Sequence, residues 1–298
     1  MRALVAYSTS TSPVLDHVQE PGLGPTDVRI RVAAAAINPV DVGIVAGPVR
    51  AAVDLPEPIG LGWDVSGTIA EVGRAVTDLE VGDRVAGMLN VIARKPGVGT
   101  HADSTVLPRQ AVARVPATLD LVDAASMPLT ALSAYQAVAL LGPGEGRSLL
   151  VTGAAGALGG HALSLARRAG WVVTGLAREA DEEFVTRSGA TLATSIEATS
   201  YDAVLDAAVL PDDAIAAVRD RGVIVGVAPA APITPQRSVT VESLFVQEDG
   251  DLLEALLAMT VTGDLLPRIA GRAPLSEAAR GYQRVAGGGQ RGRWMLIP

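Results

Sequence analysis

The stretch Ser148-Leu-Leu-Val-Thr-Gly-Ala-Ala-Gly-Ala-Leu-Gly-Gly-His-Ala-Leu-Ser-Leu-Ala-Arg-Arg-Ala-Gly170 reads as a buried strand, a glycine turn and a helix in immediate succession. Leu149-Leu150-Val151 is a short apolar run closed by Gly153, Gly156 and Gly159, and Leu158, Ala162, Leu165 and Ala166 then recur at helical spacing. A strand that feeds a helix through small residues builds an anion site. The helix N-terminus offers unpaired N–H groups and a partial positive charge, and the small residues let a pyrophosphate come close to them. In Ala154-Ala155-Gly156-Ala157-Leu158-Gly159 an alanine stands where the strict dinucleotide pattern has its first glycine. The strand before and the amphipathic helix after are nevertheless both present, as the mechanism requires.

The grammar on either side of this stretch differs. From Val115-Pro116 onward, helix and strand patterns alternate: helix from Asp120 to Leu141, strand from Trp171 to Gly175, helix from Asp181 to Ser188, strand from Ala203 to Asp206, helix from Ala214 to Arg219, and strand from Gly222 to Gly226. That alternation predicts a doubly wound, mostly parallel sheet. A further strand is expected over Ser238 to Val246 and a helix from Gly250 to Thr260. Before residue 116 the signals are β-type and broken about every ten residues by turns such as Pro21-Gly22, Gly24-Pro25 and Gly82-Asp83, the pattern of a compact antiparallel barrel. Within it, Asn38 reads as the cap of a short helix entered through Pro39, with Asp41 a first-turn carboxylate favoured by the helix dipole. The closing run Arg293-Trp-Met-Leu-Ile297 predicts a strand that rejoins this first domain.

Composition narrows the function classes. The 298 residues carry 24 basic and 32 acidic side chains, a net charge of -8, which argues against nucleic acid or an anionic membrane as partner. Cysteine is absent, so thiolate nucleophiles, disulfides and cysteine-bound zinc are excluded; Lys95 is the sole lysine, which leaves Schiff-base chemistry and a P-loop almost nothing to use. No apolar run predicts a signal peptide or a membrane span, and a cytoplasmic location is expected.

Six motifs in order carry a resemblance: Ala36-Ile-Asn-Pro-Val-Asp41, Gly62-Trp-Asp-Val-Ser-Gly67 with Glu71-Val-Gly73, Gly82-Asp-Arg-Val85, Leu129-Thr-Ala-Leu-Ser-Ala-Tyr135, Val151-Thr-Gly-Ala-Ala-Gly-Ala-Leu-Gly159 and Arg291-Gly-Arg-Trp-Met-Leu-Ile-Pro298. Through them the chain resembles the medium-chain dehydrogenase/reductase superfamily, and within it the zinc-free branch that includes NADPH-dependent quinone oxidoreductases. The resemblance implies an α/β fold made of a GroES-like β-barrel domain (1–116 and 251–298) and a Rossmann domain (117–250), with an active-site cleft between them. It implies cofactor contacts at Asn38, Thr130, Gly153, Ala155, Gly156, Ala157, Leu158, Gly159, Arg178, Ala207, Val227 and Phe245, and an acceptor cleft near Asn38, Asp41 and Trp63. It also implies a homodimer joined through the Ser238–Val246 edge, and an unprotected, partly apolar edge is a hazard that proteins usually cover.

Several of these residues have plainer readings. Thr130 serves equally as a capping or packing threonine, and Trp63 as ordinary core. In the zinc alcohol dehydrogenases of the superfamily, a cysteine and a histidine hold the metal at positions that here are Asn38 and Trp63, and the three histidines His17, His101 and His161 are scattered, so no zinc is expected. Cofactor choice turns on Gly175-Leu-Ala-Arg178: no acid closes the strand to receive a ribose 2′-OH, and Arg178 can pair with a 2′-phosphate, which favours NADPH over NADH. The competing reading makes Arg178 a solvated side chain, with Glu179 one position late for ribose. Two departures from the branch stand out: Gly43 where many members have a tyrosine, and Ile196 or a neighbour where others stack a tyrosine near the adenine. The first removes a proton donor, a loss that quinone reduction tolerates better than enone saturation. Tyr135 reads as helix packing and His101 as structural. The expected function is hydride transfer from NADPH to a quinone or α,β-unsaturated carbonyl. An enoyl or alkenal reductase of a biosynthetic pathway and a non-catalytic nucleotide-binding sensor or structural protein are the alternatives.

Overall fold

A computed structural model describes residues 1–298. In chain order its elements are β1 (Arg2–Ala6), β2 (Val14–His17), β3 (Asp27–Ile37), α1 (Pro39–Ala46), α2 (Pro48–Ala52), β4 (Ile59–Gly60), β5 (Asp64–Val72), β6 (Arg84–Met88), α3 (Val91–Arg94), β7 (Ser104–Pro108), β8 (Val112–Arg114), α4 (Leu121–Ala125) and α5 (Pro128–Leu141). They continue with β9 (Ser148–Thr152), α6 (Ala157–Arg168), β10 (Val172–Leu176), α7 (Glu182–Arg187), β11 (Thr191–Ala193), β12 (Tyr201–Asp206), α8 (Pro211–Ala217), β13 (Val218–Gly226), β14 (Thr240–Ser243), α9 (Gly250–Val261), β15 (Ile269–Pro274), α10 (Ala278–Ala286) and β16 (Arg293–Ile297). The chain divides into two units, residues 1–129 with 247–262 and 267–298, and residues 130–246 with 263–266. No helix is long and apolar enough to cross a membrane.

The second unit is built on a parallel sheet in the order β11-β10-β9-β12-β13-β14. Counted within the unit this is 3-2-1-4-5-6, the doubly wound Rossmann order, and the order reverses between β9 and β12. Leu149, Leu150 and Val151 are fully buried, as a strand covered on both faces must be. α6 buries Ala162, Leu163, Leu165 and Ala166.

The first unit holds a three-stranded sheet, β2-β1-β4, and a seven-stranded one in which β15-β16-β3-β5-β6-β8 are consecutive neighbours and β7 also pairs with β3. Val28, Ile30, Val65, Ile69, Val85, Leu107 and Val112 fill its core. β16 lies antiparallel to β3, Trp294 opposite Ile37, so the last strand does rejoin the first domain. β15 and β16 run parallel, and α10 lies between them in sequence and makes the crossover that parallel strands need.

Other boundaries also move for identifiable reasons. The helix expected from Asp120 to Leu141 is two helices, because Pro128 has no N–H to donate and bars the residue before it from the helical region. The helix expected from Ala214 starts earlier, at Pro211, and ends at Ala217, since Val218 takes the extended conformation and begins β13. β14 is shorter than Ser238–Val246 because Arg237 and Ser238 are left-handed and turn the chain just before it. Tyr135, expected to pack, is 44% exposed on α5.

Candidate active site

In the second unit the chain turns out of β9 at Gly153, whose φ of +61° is the left-handed conformation that glycine tolerates. A Cβ on Gly159 would lie 2.2 Å from the Gly153 carbonyl oxygen, so only glycine lets α6 approach the turn this closely. The alanine in the first-glycine position is accommodated from below: a Cβ on Gly175 would come within 2.8 Å of the Ala154 Cβ, and the glycine there leaves the space. Gly156 is the N-cap of α6, extended at φ -77° and ψ 172°, and no side chain caps the helix. The leading N–H groups of α6, on Ala157, Leu158 and Gly159, therefore meet no capping side chain and no Cβ at position 156, which is the clearance a pyrophosphate needs at a helix N-terminus. These residues fit a dinucleotide.

The other cofactor candidates of this unit lie on strand ends and loops. Ala177 and Arg178 follow β10, the arginine exposed and followed by exposed Glu179; Ala207 follows β12 and Val227 follows β13, both half-buried. Phe245, just past β14, is 68% exposed, and Thr130 is buried in the first turn of α5. Ile196 packs on the core cluster of Leu150, Val204 and Ile224 rather than standing free to stack.

The acceptor candidates lie in the first unit, inside a buried polar cluster. Asp41 accepts the Asn38 N–H through Oδ2 and the Gly62 N–H through Oδ1, both at 2.9 Å. Asn38 Nδ2 donates to the Ala36 carbonyl and to Asp64 Oδ2, each at 3.1 Å. Arg293 Nη2 donates to Asp64 Oδ2 at 2.8 Å and also to Asn38 Oδ1, while Asp64 Oδ1 accepts the Leu129 N–H at 2.6 Å. Asn38, Asp41 and Asp64 are wholly buried, so the Asn38 amide is spent on internal partners. Trp63, 4% exposed, stands between two backbone positions pinned by this cluster, and its indole N–H has no partner.

Charge in the cluster is unbalanced: two carboxylates face one guanidinium. Burial pushes the Asp64 carboxyl up to about 6, against the pull of Arg293, and burial raises Asp41 as well. His101 is pushed down by burial. Its Nε2 meets the Ala36 carbonyl at 3.1 Å, an oxygen that can only accept, so Nε2 carries the proton and Nδ1 accepts the Tyr282 hydroxyl at 2.9 Å. Burial holds that hydroxyl protonated. His101 is thus a core histidine, as expected of it. Asp64, Arg293 and Tyr282 escaped the sequence reading; the available signal was a charge at the inner end of an apolar strand, in Asp64-Val65 and in Arg293-Trp294-Met295-Leu296. No group of three or more His, Asp or Glu side chains is arranged to hold a metal ion.

Two family profiles match the chain: the alcohol dehydrogenase GroES-like domain over residues 24–117 and the zinc-binding dehydrogenase over residues 178–296. An NADPH-dependent alkenal/one oxidoreductase of Arabidopsis thaliana chloroplasts is 29% identical over 295 residues, 95% of this chain and 75% of the relative. A chloroplast envelope quinone oxidoreductase homolog of the same plant is 32% identical over 184 residues, 59% of this chain and 55% of the relative. Among solved structures, an alcohol dehydrogenase superfamily protein from Novosphingobium aromaticivorans superposes with a TM-score of 0.85 at 26% identity, over 100% of this chain and 99% of that one.

Proposed function

We propose, from the premise that this chain belongs to the medium-chain dehydrogenase/reductase superfamily, that it is a zinc-independent, NADPH-dependent oxidoreductase whose acceptor is a quinone or an α,β-unsaturated carbonyl. The observation that carries the reading is the uncapped, glycine-lined start of α6 at the strand-order reversal. Bound NADPH supplies the hydride. The residues of the chain bind and orient: the leading N–H groups of α6 receive the pyrophosphate, and the Arg178 guanidinium receives the 2′-phosphate. The positions that hold zinc in metal-dependent members are Asn38, whose amide is already committed to Arg293 and Asp64, and Trp63, which has no ligand atom to offer.

Gly43 also supports a quinone acceptor. A Cβ there would lie 2.6 Å from Val49 Cγ2, so the tyrosine found in many members would require the Val49 side chain of α2 to move. A developing hydroquinone oxygen takes its proton from water, whereas saturating an enone needs a proton delivered to carbon. Oxidation of NADPH measured against a panel of quinones, enones and saturated ketones, with and without a chelator, tests the whole reading. Turnover of quinones or enones that a chelator leaves untouched is the expected result. Cofactor binding without turnover of any acceptor would instead favour a sensor, and one zinc per chain by elemental analysis would defeat the metal-free mechanism.

NADPH is expected to bind at least tenfold more tightly than NADH, a gap of about 1.4 kcal/mol. Arg178→Ala should shrink that gap while leaving NADH affinity nearly unchanged, as read by quenching of tryptophan fluorescence. Equal affinities in the unaltered protein would refute the assignment of Arg178.

The homodimer belongs to the same reading, and it is supported by β14 being the outermost strand of its sheet. The register selects the test. The Leu244 N–H bonds to the Gly226 carbonyl of β13, so by alternation the N–H groups of Thr240 and Glu242 also face β13, and those of Val241 and Ser243 face the free edge. Val241→Pro should weaken a strand-paired dimer without breaking the sheet within one chain. Light scattering that finds the unaltered protein monomeric at micromolar concentration rules the dimer out.

A further inference from the structure

Thr152 and Asp206 close the neighbouring strands β9 and β12 and stand opposite each other in the parallel register, at the point where the strand order reverses. Both are buried, and Asp206, at 2% exposure, is satisfied by a hydroxyl and an N–H group rather than by a cation. The Thr152 hydroxyl donates to Asp206 Oδ1 at 2.6 Å and accepts the Ala208 N–H at 3.0 Å. The Leu210 N–H is shared by the two carboxylate oxygens, at 2.8 Å from Oδ2 and 3.1 Å from Oδ1.

Between these two anchored N–H groups lies Val209, with φ at +59°. A β-branched side chain in the left-handed region is a strained outlier, and such strain persists only where the surroundings over-determine the backbone. The Thr152 and Asp206 bonds do that from both sides. The same loop rests on the glycine turn, since a Cβ on Gly153 would lie 3.2 Å from the Ala208 Cβ, and it presents the exposed apolar side chains of Val209 and Leu210.

We propose that Thr152 and Asp206 are positioning residues for the cofactor, a locked pair that holds the strained loop Ala207–Leu210 against the glycine turn so that both walls of the crevice are set before NADPH arrives. The proposal rests on the reading of the chain as nicotinamide-dependent. Its chemical requirement is specific: the residue at 152 must donate and accept at once, which serine does and valine cannot. The carboxylate and the hydroxyl touch only protein groups, so their effect on the cofactor runs through the loop.

The test measures NADPH affinity by tryptophan quenching, together with the separate KM values for NADPH and acceptor. Thr152→Val should weaken NADPH about tenfold or more and raise its KM, with the KM for acceptor unmoved, while Thr152→Ser should stay near wild type. Val209→Gly, a change in an exposed loop, should raise the unfolding midpoint by releasing strain yet still weaken NADPH about fivefold, because the loop is no longer held in one shape. Added to Thr152→Val, it should recover stability without recovering affinity. Wild-type affinity in Thr152→Val, or in Val209→Gly if the threonine variant does not fold, overturns the proposal; so does a serine variant as weak as the valine one. An unaltered protein that binds no NADPH fails earlier, and takes the functional reading down with it.

Discussion

Replacing Gly156 by aspartate is expected to weaken NADPH binding by a hundredfold or more, about 2.7 kcal/mol, while leaving the protein as stable as before. Position 156 already has the extended backbone that an N-cap residue adopts, so aspartate needs no backbone change, and its Cβ meets only the Gly153 carbonyl at 3.1 Å. The new carboxylate accepts the leading N–H groups of α6 and lies at the positive end of its dipole, gains of a few tenths to about 1 kcal/mol that offset the tight Cβ contact. Those are the same N–H groups and the same charge that the pyrophosphate requires. The variant therefore separates folding from binding: a helix better capped and an anion site occupied by its own side chain. Gly156→Asn, which caps without the charge, should lose less affinity. Calorimetric titration that finds NADPH affinity unchanged in Gly156→Asp would show that the cofactor does not use this helix end.

Arg293→Met should destabilise the first unit by about 3–5 kcal/mol, the usual cost of leaving a buried charge without its partner. Arg293 bridges Asp64 and Asn38 inside the protein, and Asp64 in turn accepts the Leu129 N–H at the start of α5, so the loss reaches β5, α1 and α5 together. The defect also carries a sign in pH. Burial already raises the Asp64 carboxyl to about 6 in the folded protein, above the ordinary value of about 3.9 that it has when unfolded. The folded state thus holds its proton more tightly, and the contribution of Asp64 to stability falls as pH rises from about 4 to about 6. Without the guanidinium that carboxyl rises further, so the penalty in Arg293→Met should be larger at pH 8 than at pH 4.5 in urea unfolding. A midpoint shift that is small and independent of pH would mean that the pair contributes little. Arg293→Lys should fall between, since the ammonium keeps the charge but ends a shorter side chain than the one that places Nη2 between Asp64 and Asn38.

Local chemistry was enough to read much of this molecule. The strand, glycine turn and helix from Ser148 to Gly170, the parallel alternation that follows, and the return of Arg293–Ile297 to the first domain all rest on patterns a few residues long, set by backbone sterics and by which side chains prefer burial. Gly153, Gly156 and Gly159 could be read as a candidate phosphate cradle because the turn and the close approach of α6 to it are constraints of a few consecutive residues. The exclusion of thiol chemistry, and the reduction of lysine chemistry to the single Lys95, likewise need only the residue inventory.

What escaped such reading involves partners far apart along the chain. Asn38, Asp64 and Arg293 are separated by up to 255 positions, and nothing in the local pattern around any of them shows that one guanidinium serves two of the others. The parallel pairing of β15 with β16, the break at Pro128 made into a new helix start, and the bonds from Thr152 and Asp206 to the N–H groups on either side of Val209 are of the same kind. The sequence by itself determined the main alternation of strand and helix from β9 to α9 and the composition of a candidate anion cradle, because propensity and capping act over a single turn or strand. Only the tertiary structure decided which buried charges share a partner, which N–H groups are left for a ligand and which loop carries strain, because those depend on where strands distant in sequence are brought side by side.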